Sequence, residues 1–360
     1  MVSAPSSNPL LLPAVSKSRR VSTDDVAMAV IGCGIHSTTA ILPSLRHAPV
    51  RLIAVCDLDE NRRESARRQF GAEFAYRSAD DLLSRPDLDA VIVVGPPDLH
   101  VSAGIAALES GRHVFIEKPP GTSIGDALRL QATSRVARKE LMVGFMKRHA
   151  SAYRLVKQLI AGEEFGAVTS VHLTYGHWPV DGIRFHLTDM SIHALDTVRW
   201  LQGDPIRMTA YKRPVRGNHA LTLILEHTSG GVSQLDLSAF HPGLQERLVV
   251  TGEQAEVRVE GMTSLTYVRQ APGKSHYDAN GRLTNTWSPE MVLPDIENDE
   301  LIIQGYAAEL IAFAVAIREG KGVNASIDDG VAAMGLIEAI VEAPEGLSTA
   351  DLPITGAAPV

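Results

Sequence analysis

Ala27-Met28-Ala29-Val30-Ile31-Gly32-Cys33-Gly34-Ile35-His36-Ser37 is the stretch that decides the fold. A short, all-apolar run such as Ala27–Ile31 fits a strand covered on both faces, and it feeds directly into a GxGxx[GA]-like turn that opens a helix. Gly32 permits the tight turn and Gly34 lets the backbone come up to a pyrophosphate. That anion then rests on free N–H groups and on the positive dipole end of the helix. Ile35 and His36 lie on the same turn, and Ser37 takes the third glycine position, where a small residue still allows close helix–strand packing.

Working outward, the next strand, Leu52–Cys56, ends in Asp57, 25 residues after Gly32. A carboxylate about 20 residues on from such a turn binds the ribose hydroxyls of a dinucleotide. Its charge would repel a 2′-phosphate, which favours NAD over NADP, while Arg62 or Arg63 keeps NADP open. The plain structural alternative is a packing turn with Asp57 capping the following helix. Further strand-sized runs at Ala90–Val94, Val114–Ile116 and Leu141–Val143 alternate with helical patterns at Asn61–Phe70, Ala79–Leu83, Val101–Ser110 and Ile124–Arg138. That alternation predicts a doubly wound parallel sheet.

After Arg148 the texture changes. A helix is predicted at Ala152–Ala161, a strand at Val168–Gly176 and a helix at Met190–Leu201. Arg207–Lys212, Leu221–Glu226, Gly231–Ser238, Glu246–Thr251, Ala255–Glu260 and Ser264–Arg269 then follow as strands without helices between them. Such a run builds a largely antiparallel open sheet. Ala271–Asp299 reads as a polar loop, and helices follow at Gln304–Glu319 and Ile327–Glu342. The expected organisation is a flexible N-terminal tail (residues 1–25), a Rossmann domain (26–147), a substrate-binding and oligomerisation α/β domain (148–345) and a loosely held C-terminal tail (346–360).

Composition narrows the function. The 360 residues carry 34 Lys+Arg against 42 Asp+Glu, a formal net charge of −8, and no basic patch that would suit nucleic acid. Cys33 and Cys56 form neither a disulfide framework nor a zinc-ligand spacing, which fits a reducing cytoplasm. No run approaches the ~18–20 apolar residues that span a bilayer. Leu10-Leu11-Leu12 has no basic region before it, and Arg19-Arg20 leads into polar residues, so neither kind of export signal is expected.

Ligands of parallel sheets sit beyond the strands' carboxyl ends. Gly95-Pro96-Pro97-Asp98-Leu99-His100 and Glu117-Lys118-Pro119-Pro120 both occupy that edge. Together with Gly32, Gly34 and Asp57 they resemble the glucose–fructose oxidoreductase / inositol dehydrogenase / MocA (Gfo/Idh/MocA) family, from Val26 to Glu342. Its Glu-Lys-Pro motif matches Glu117-Lys118-Pro119, its Pro-Pro-x-x-His motif matches Pro96 to His100, and its second-domain motif matches Asp189, His193 and Asp196. The resemblance implies that Lys118 lies beside the nicotinamide and the substrate hydroxyl, with the peptide to Pro119 a candidate for cis. It also implies a homodimer or homotetramer joined through the open face of the second sheet. The cofactor-binding set is then Gly32, Gly34, Ile35, His36, Asp57, Pro96, Pro97, His100, Glu117 and Lys118.

Asp189 and His193 also have a physical case, because side chains four residues apart share a helix face. A histidine can take the proton of an alcohol as hydride leaves its carbon. Lys118 would stabilise the alkoxide, and Asp189 would hold a hydroxyl or orient the imidazole. Lys118, Asp189 and His193 form the catalytic set, joined by Tyr175 and His186 as substrate contacts. Asp189 as a helix cap beside a packing His193 is the alternative. A metal bound by His186, Asp189 and His193 is another, though the resembled family's reaction needs none. Many members of that family have a glycine-rich run before the aspartate, whereas this chain reads Asp181-Gly182-Ile183-Arg184-Phe185-His186-Leu187-Thr188, so no particular substrate carries over. The expectation is an NAD(H)-dependent oxidoreductase acting on a secondary alcohol or ketone of a sugar, amino sugar or cyclitol. An enzyme that keeps NAD bound and oxidises transiently, and a non-catalytic NAD-binding regulator, remain open.

Overall fold

The computed structural model describes residues 22, 24–275, 277–290 and 298–353, so most of the expected N-terminal tail and the last residues of the chain lie outside the described residues. Val26–Ile31 forms β1 and is buried at every position, as an apolar run covered on both faces must be. It joins β2 (Val50–Cys56), β3 (Phe74–Tyr76), β4 (Ala90–Val93), β5 (His113–Ile116) and β6 (Leu141–Val143) in one sheet of order 3-2-1-4-5-6. Every neighbouring pair in it is parallel. Only β3 was not legible in advance, being three residues long with Phe74 exposed. The chain leaves β1 for β2 on one side while β4 lies on the other, which opens a crevice at the carboxyl ends of β1 and β4.

The second sheet contains β7 (Val168–Gly176), β8 (Pro205–Val215), β9 (Asn218–His227), β10 (Val232–Asp236), β11 (Gln245–Gly252), β12 (Ala255–Glu260), β13 (Ser264–Gln270), β14 (Arg282–Trp287) and β15 (Gly346–Asp351). Their order is 14-13-12-11-7-10-9-8-15, antiparallel throughout except for β7 beside β10. Two expectations need correction. The segment read as a polar loop contains β14, which pairs along the edge of β13. The residues read as a C-terminal tail supply β15, because β8 would otherwise present an open row of N–H and C=O groups. There the Thr209 and Thr349 hydroxyls meet at 3.0 Å, and Leu352 packs against the core.

One face of this sheet is a buried row of Leu223, Leu235, Leu173, Leu248 and Val259 that follows the strand register. Helices Ser151–Ile160 and Ile192–Gln202 pack over it. The opposite face is uncovered and mixed, with Tyr211, Ile224, Val232 and Leu347 exposed among threonines and charged residues. The predicted helix at Met190–Leu201 is preceded by a wide π turn, His186–Ser191, before regular helix begins at Ile192. π segments of this kind are frequent at functional sites.

The two sheets are joined by a buried ion cluster just after β6. The Arg148 guanidinium donates Nε to Asp196 Oδ2 at 2.8 Å and a second bond to the other Asp196 oxygen. It also reaches Asp329 at 3.1 Å, in the first turn of the capped helix Ile327–Glu342. Arg148 and Asp196 are 5% and 1% exposed, so removing one charge strands the other without water. Asp196→Ala is expected to cost about 3 kcal/mol of unfolding free energy in urea titration. A loss of well under ~1 kcal/mol would show that the pair does not tie the halves together.

Candidate active site

The glycine turn is fixed by a close approach. Gly32 has φ +98°, and a Cβ there would lie 1.8 Å from the Val94 carbonyl oxygen, so no other residue fits. Beside Gly34, by contrast, no heavy atom lies within 4 Å of a would-be Cβ, leaving open space for a ligand against bare backbone. Asp57 accepts the Cys33 N–H at 2.8 Å through Oδ2 and the Asp59 N–H at 2.9 Å through Oδ1. It therefore holds the turn as well as ending β2. The helix cap is Asp59, which accepts the Arg62 N–H at 3.0 Å, and not Asp57. Arg62 lines the crevice, whereas Arg63 is turned toward Leu58 O and Glu60.

Two cavities meet at this turn. One of about 720 Å³ runs along Gly32, Gly34, Asp57 and Pro96, and the other, of about 650 Å³, lies toward the second sheet. Gly34, Val94 and Gly95 border both. The sequence-predicted residues Ile35, His36, Glu117, Lys118, Tyr175, Asp189 and His193 all line the second cavity. The donor-rich turn, its open glycine and the terminal carboxylate of β2 suit a dinucleotide lying across the first cavity with its reactive ring in the second.

In the second cavity, Lys118 Nζ donates to the Asp189 carbonyl at 2.6 Å and lies 3.5 Å from the Asp189 carboxylate. The Lys118–Pro119 peptide is cis. His193 is half-buried, and its Nδ1 has no hydrogen-bond partner among the described residues. Burial, then the charges of Lys118, Lys147 and His36, push its pKa well below 6.5. It is thus a neutral imidazole at neutral pH, able to accept a proton.

Glu117 is buried and accepts from His36 Nε2 at 3.1 Å and from the Lys118 N–H at 3.2 Å. Burial raises its pKa, but His36, Lys118 and His100 outweigh this and keep it ionised. His36 mirrors it: burial lowers its pKa, and the bond and charge of Glu117 raise it overall.

Three expected contacts lie elsewhere. His100 is buried and lines neither cavity. Its Nε2 accepts the Gly95 N–H at 3.1 Å, so its Nδ1 carries the proton and donates to the Pro119 carbonyl at 2.9 Å. It acts through the loops it braces. Pro97 begins the helix Pro97–Glu109 and also lines neither cavity. His186 is buried with its ring 4.5 Å from that of His177, and burial and that neighbour take its pKa to about 4. It does not line the cavity, its ring packing on His177 instead. Among the described residues no three His, Cys, Asp or Glu side chains converge as metal ligands.

Sequence reasoning missed Lys147 and Tyr306, which also line the second cavity. Lys147 pairs with the buried Glu246 and sits 5.0 Å above the Tyr175 ring. Applying the strand-end rule to β6 would have found it. Tyr306 arrives from the distant helix Tyr306–Glu319, and no local pattern announces it.

Residues 26–145 match the family GFO_IDH_MocA, described as an oxidoreductase family with an NAD-binding Rossmann fold, and residues 157–351 match its C-terminal alpha/beta domain. Inositol 2-dehydrogenase 3 of Saccharopolyspora erythraea is 28% identical over 338 residues, covering 88% of this chain and 93% of that protein. Inositol 2-dehydrogenase of Ralstonia nicotianae is 27% identical over 332 residues, covering 88% and 93%. A dehydrogenase structure from Chromobacterium violaceum superposes with TM-score 0.80 at 23% identity, covering 88% of this chain and 94% of that one.

The open space beside Gly34 gives a direct test. Gly34→Ala places its methyl group where no heavy atom of the described residues lies within 4 Å, so the melting temperature is expected to stay within about 3 °C of the parent. NADH binding, followed by fluorescence titration, is expected to weaken at least ~10-fold, about 1.4 kcal/mol. Unchanged affinity would remove Gly34 from the cofactor path.

Proposed function

The chain belongs to the Gfo/Idh/MocA oxidoreductase family, and from that membership we propose an NAD-dependent dehydrogenase acting on a secondary alcohol of a neutral cyclitol or sugar. The observation that carries this reading is the convergence of Lys118, Asp189 and His193 on a cavity continuous with the dinucleotide crevice. When bound, NAD supplies the hydride acceptor. The protein's own residues do the rest.

His193, neutral and lining the cavity, accepts the hydroxyl proton as the carbon–hydrogen bond breaks. Lys118, within reach of the same space, stabilises the alkoxide character at that oxygen. Asp189 holds Lys118 in place through its carbonyl and offers its carboxylate to a neighbouring hydroxyl. In the reverse direction the same groups return the proton to a ketone.

Charge balance favours an uncharged substrate. Lys118 faces Asp189, Lys147 faces Glu246 and Glu117 faces His36, so each formal charge on the wall already has its counter-charge. A phosphate or carboxylate substrate would need a cation that is not spent in this way. The names of the inositol dehydrogenase relatives support a cyclitol in particular. Both described cysteines are buried and unpaired, and no helix among the described residues is long and apolar enough to cross a membrane. These features support a cytoplasmic enzyme. The uncovered face of the second sheet, with Tyr211, Ile224 and Leu347, is the surface through which two or four copies would associate.

Turnover is tested by following nicotinamide absorbance with NAD across inositols, aldoses and sugar phosphates. Oxidation of an inositol or free sugar is expected; turnover confined to sugar phosphates would overturn the neutral-substrate reading. His193→Ala and Lys118→Ala are each expected to lower kcat by ~10²–10⁴ with NADH affinity nearly intact. Because its pKa is depressed, His193 stays in the base form as pH falls through 6.5, so kcat/KM for oxidation should hold its plateau there. A half-maximum at pH 6.5 or above would contradict the assignment of His193 as the base.

A further inference from the structure

Glu309 lies on the helix Tyr306–Glu319 in the row Tyr306, Glu309, Leu310 and Phe313, which is otherwise apolar. It is fully buried, and among the described residues neither carboxyl oxygen has a hydrogen-bond donor. A carboxylate in that position would be a bare charge without water, and a carboxylic acid would not. The same helix lays Tyr306 edge-on against the His36 ring at 5.5 Å, on the wall of the substrate cavity.

Glu117 is the charged group that bears on Glu309. Its own carboxylate is satisfied by His36 and by the Lys118 N–H, and the charges of His36 and Lys118 act on it and not on Glu309. Room for the Glu117 carboxylate exists because residue 144 is glycine, where a Cβ would meet its oxygen at 3.0 Å. A second buried negative charge that senses Glu117 is disfavoured beyond the cost of burial itself.

We propose that Glu309 stands protonated behind the cavity wall while Glu117 stays ionised, and that His36 connects these two carboxyls to the nicotinamide end of the cavity. Burial, then Glu117, pushes the Glu309 pKa well above 4.5, while Glu117 stays ionised against His36. Glu309 is a positioning residue in this scheme: by staying neutral it leaves the Glu117 charge undivided for His36 and for the backbone of Lys118. The link to hydride transfer rests on the function proposed above, whereas the first test below needs neither cofactor nor substrate, so the two can fail separately.

The infrared difference spectrum of the wild-type protein against Glu309→Gln, at neutral pH, reads the site directly. A protonated carboxylic acid C=O band, shifted in D₂O, is expected in the wild type and in Glu117→Gln, and lost in Glu309→Gln. No such band in the wild type, or a band that survives in Glu309→Gln, overturns the proposal. Because the amide has the shape and neutrality of the acid, Glu309→Gln is expected to fold with a melting temperature within about 3 °C of the parent. Failure of that variant to fold, where wild type does, also counts against it. Addition of NADH is expected to shift the band in the wild type and not in His36→Gln; an unmoved wild-type band would sever the pair from the cavity.

Discussion

The approach of Gly32 to the Val94 carbonyl is the constraint on which the site depends. A side chain there would collide with backbone at 1.8 Å, so the turn after β1 can cross the end of β4 only as glycine. That crossing brings the loops after β1, β4 and β5 to one edge, with Val94 and Gly95 shared by both cavities. Asp57 secures the turn from the other side by accepting the Cys33 N–H. His100 then braces the next two loops, taking the Gly95 N–H and giving its own proton to the Pro119 carbonyl. Lys118 is thus positioned by a chain of contacts that begins at the glycine and passes through the His100 ring.

Around that frame the polar groups divide into compensated charges and groups that burial drives toward neutrality. Lys118 with Asp189, Lys147 with Glu246 and Glu117 with His36 leave the cavity wall with its counter-charges in place. Within this partly desolvated field a protonated imidazole between lysines is disfavoured, which keeps His193 a base. The same logic of buried charge applies behind the wall, where Glu309 has no donor and Glu117 has two. Burial alone would neutralise every one of these groups. Their partners decide which stay ionised.

Much of this could be read from the chain because the first sheet is built from local signals. The all-apolar runs marked β1, β2, β4, β5 and β6, and the glycine turn with Asp57 placed the crevice. What escaped has physical reasons. β3 is too short for its pattern to register, and β14 and β15 are strands because an edge beside them needs pairing, not because their sequences insist on it. His186 was expected beside Tyr175 as a substrate contact, but its ring packs on His177 and does not line the cavity, a direction set by tertiary packing that no local pattern announces. Tyr306 and Glu309 come from a helix far along the chain, although a glutamate on an apolar helix face was a visible anomaly.

Direct hydride transfer between a polyol carbon and nicotinamide, in the cavity that holds Lys118 and His193, is the step on which the proposed function stands. The most direct measurement is a single turnover with NAD and an inositol carrying deuterium on its ring carbons, with the nicotinamide recovered and analysed by mass spectrometry. One deuterium on the reduced nicotinamide ring is expected. Ketone product with unlabelled nicotinamide would contradict it.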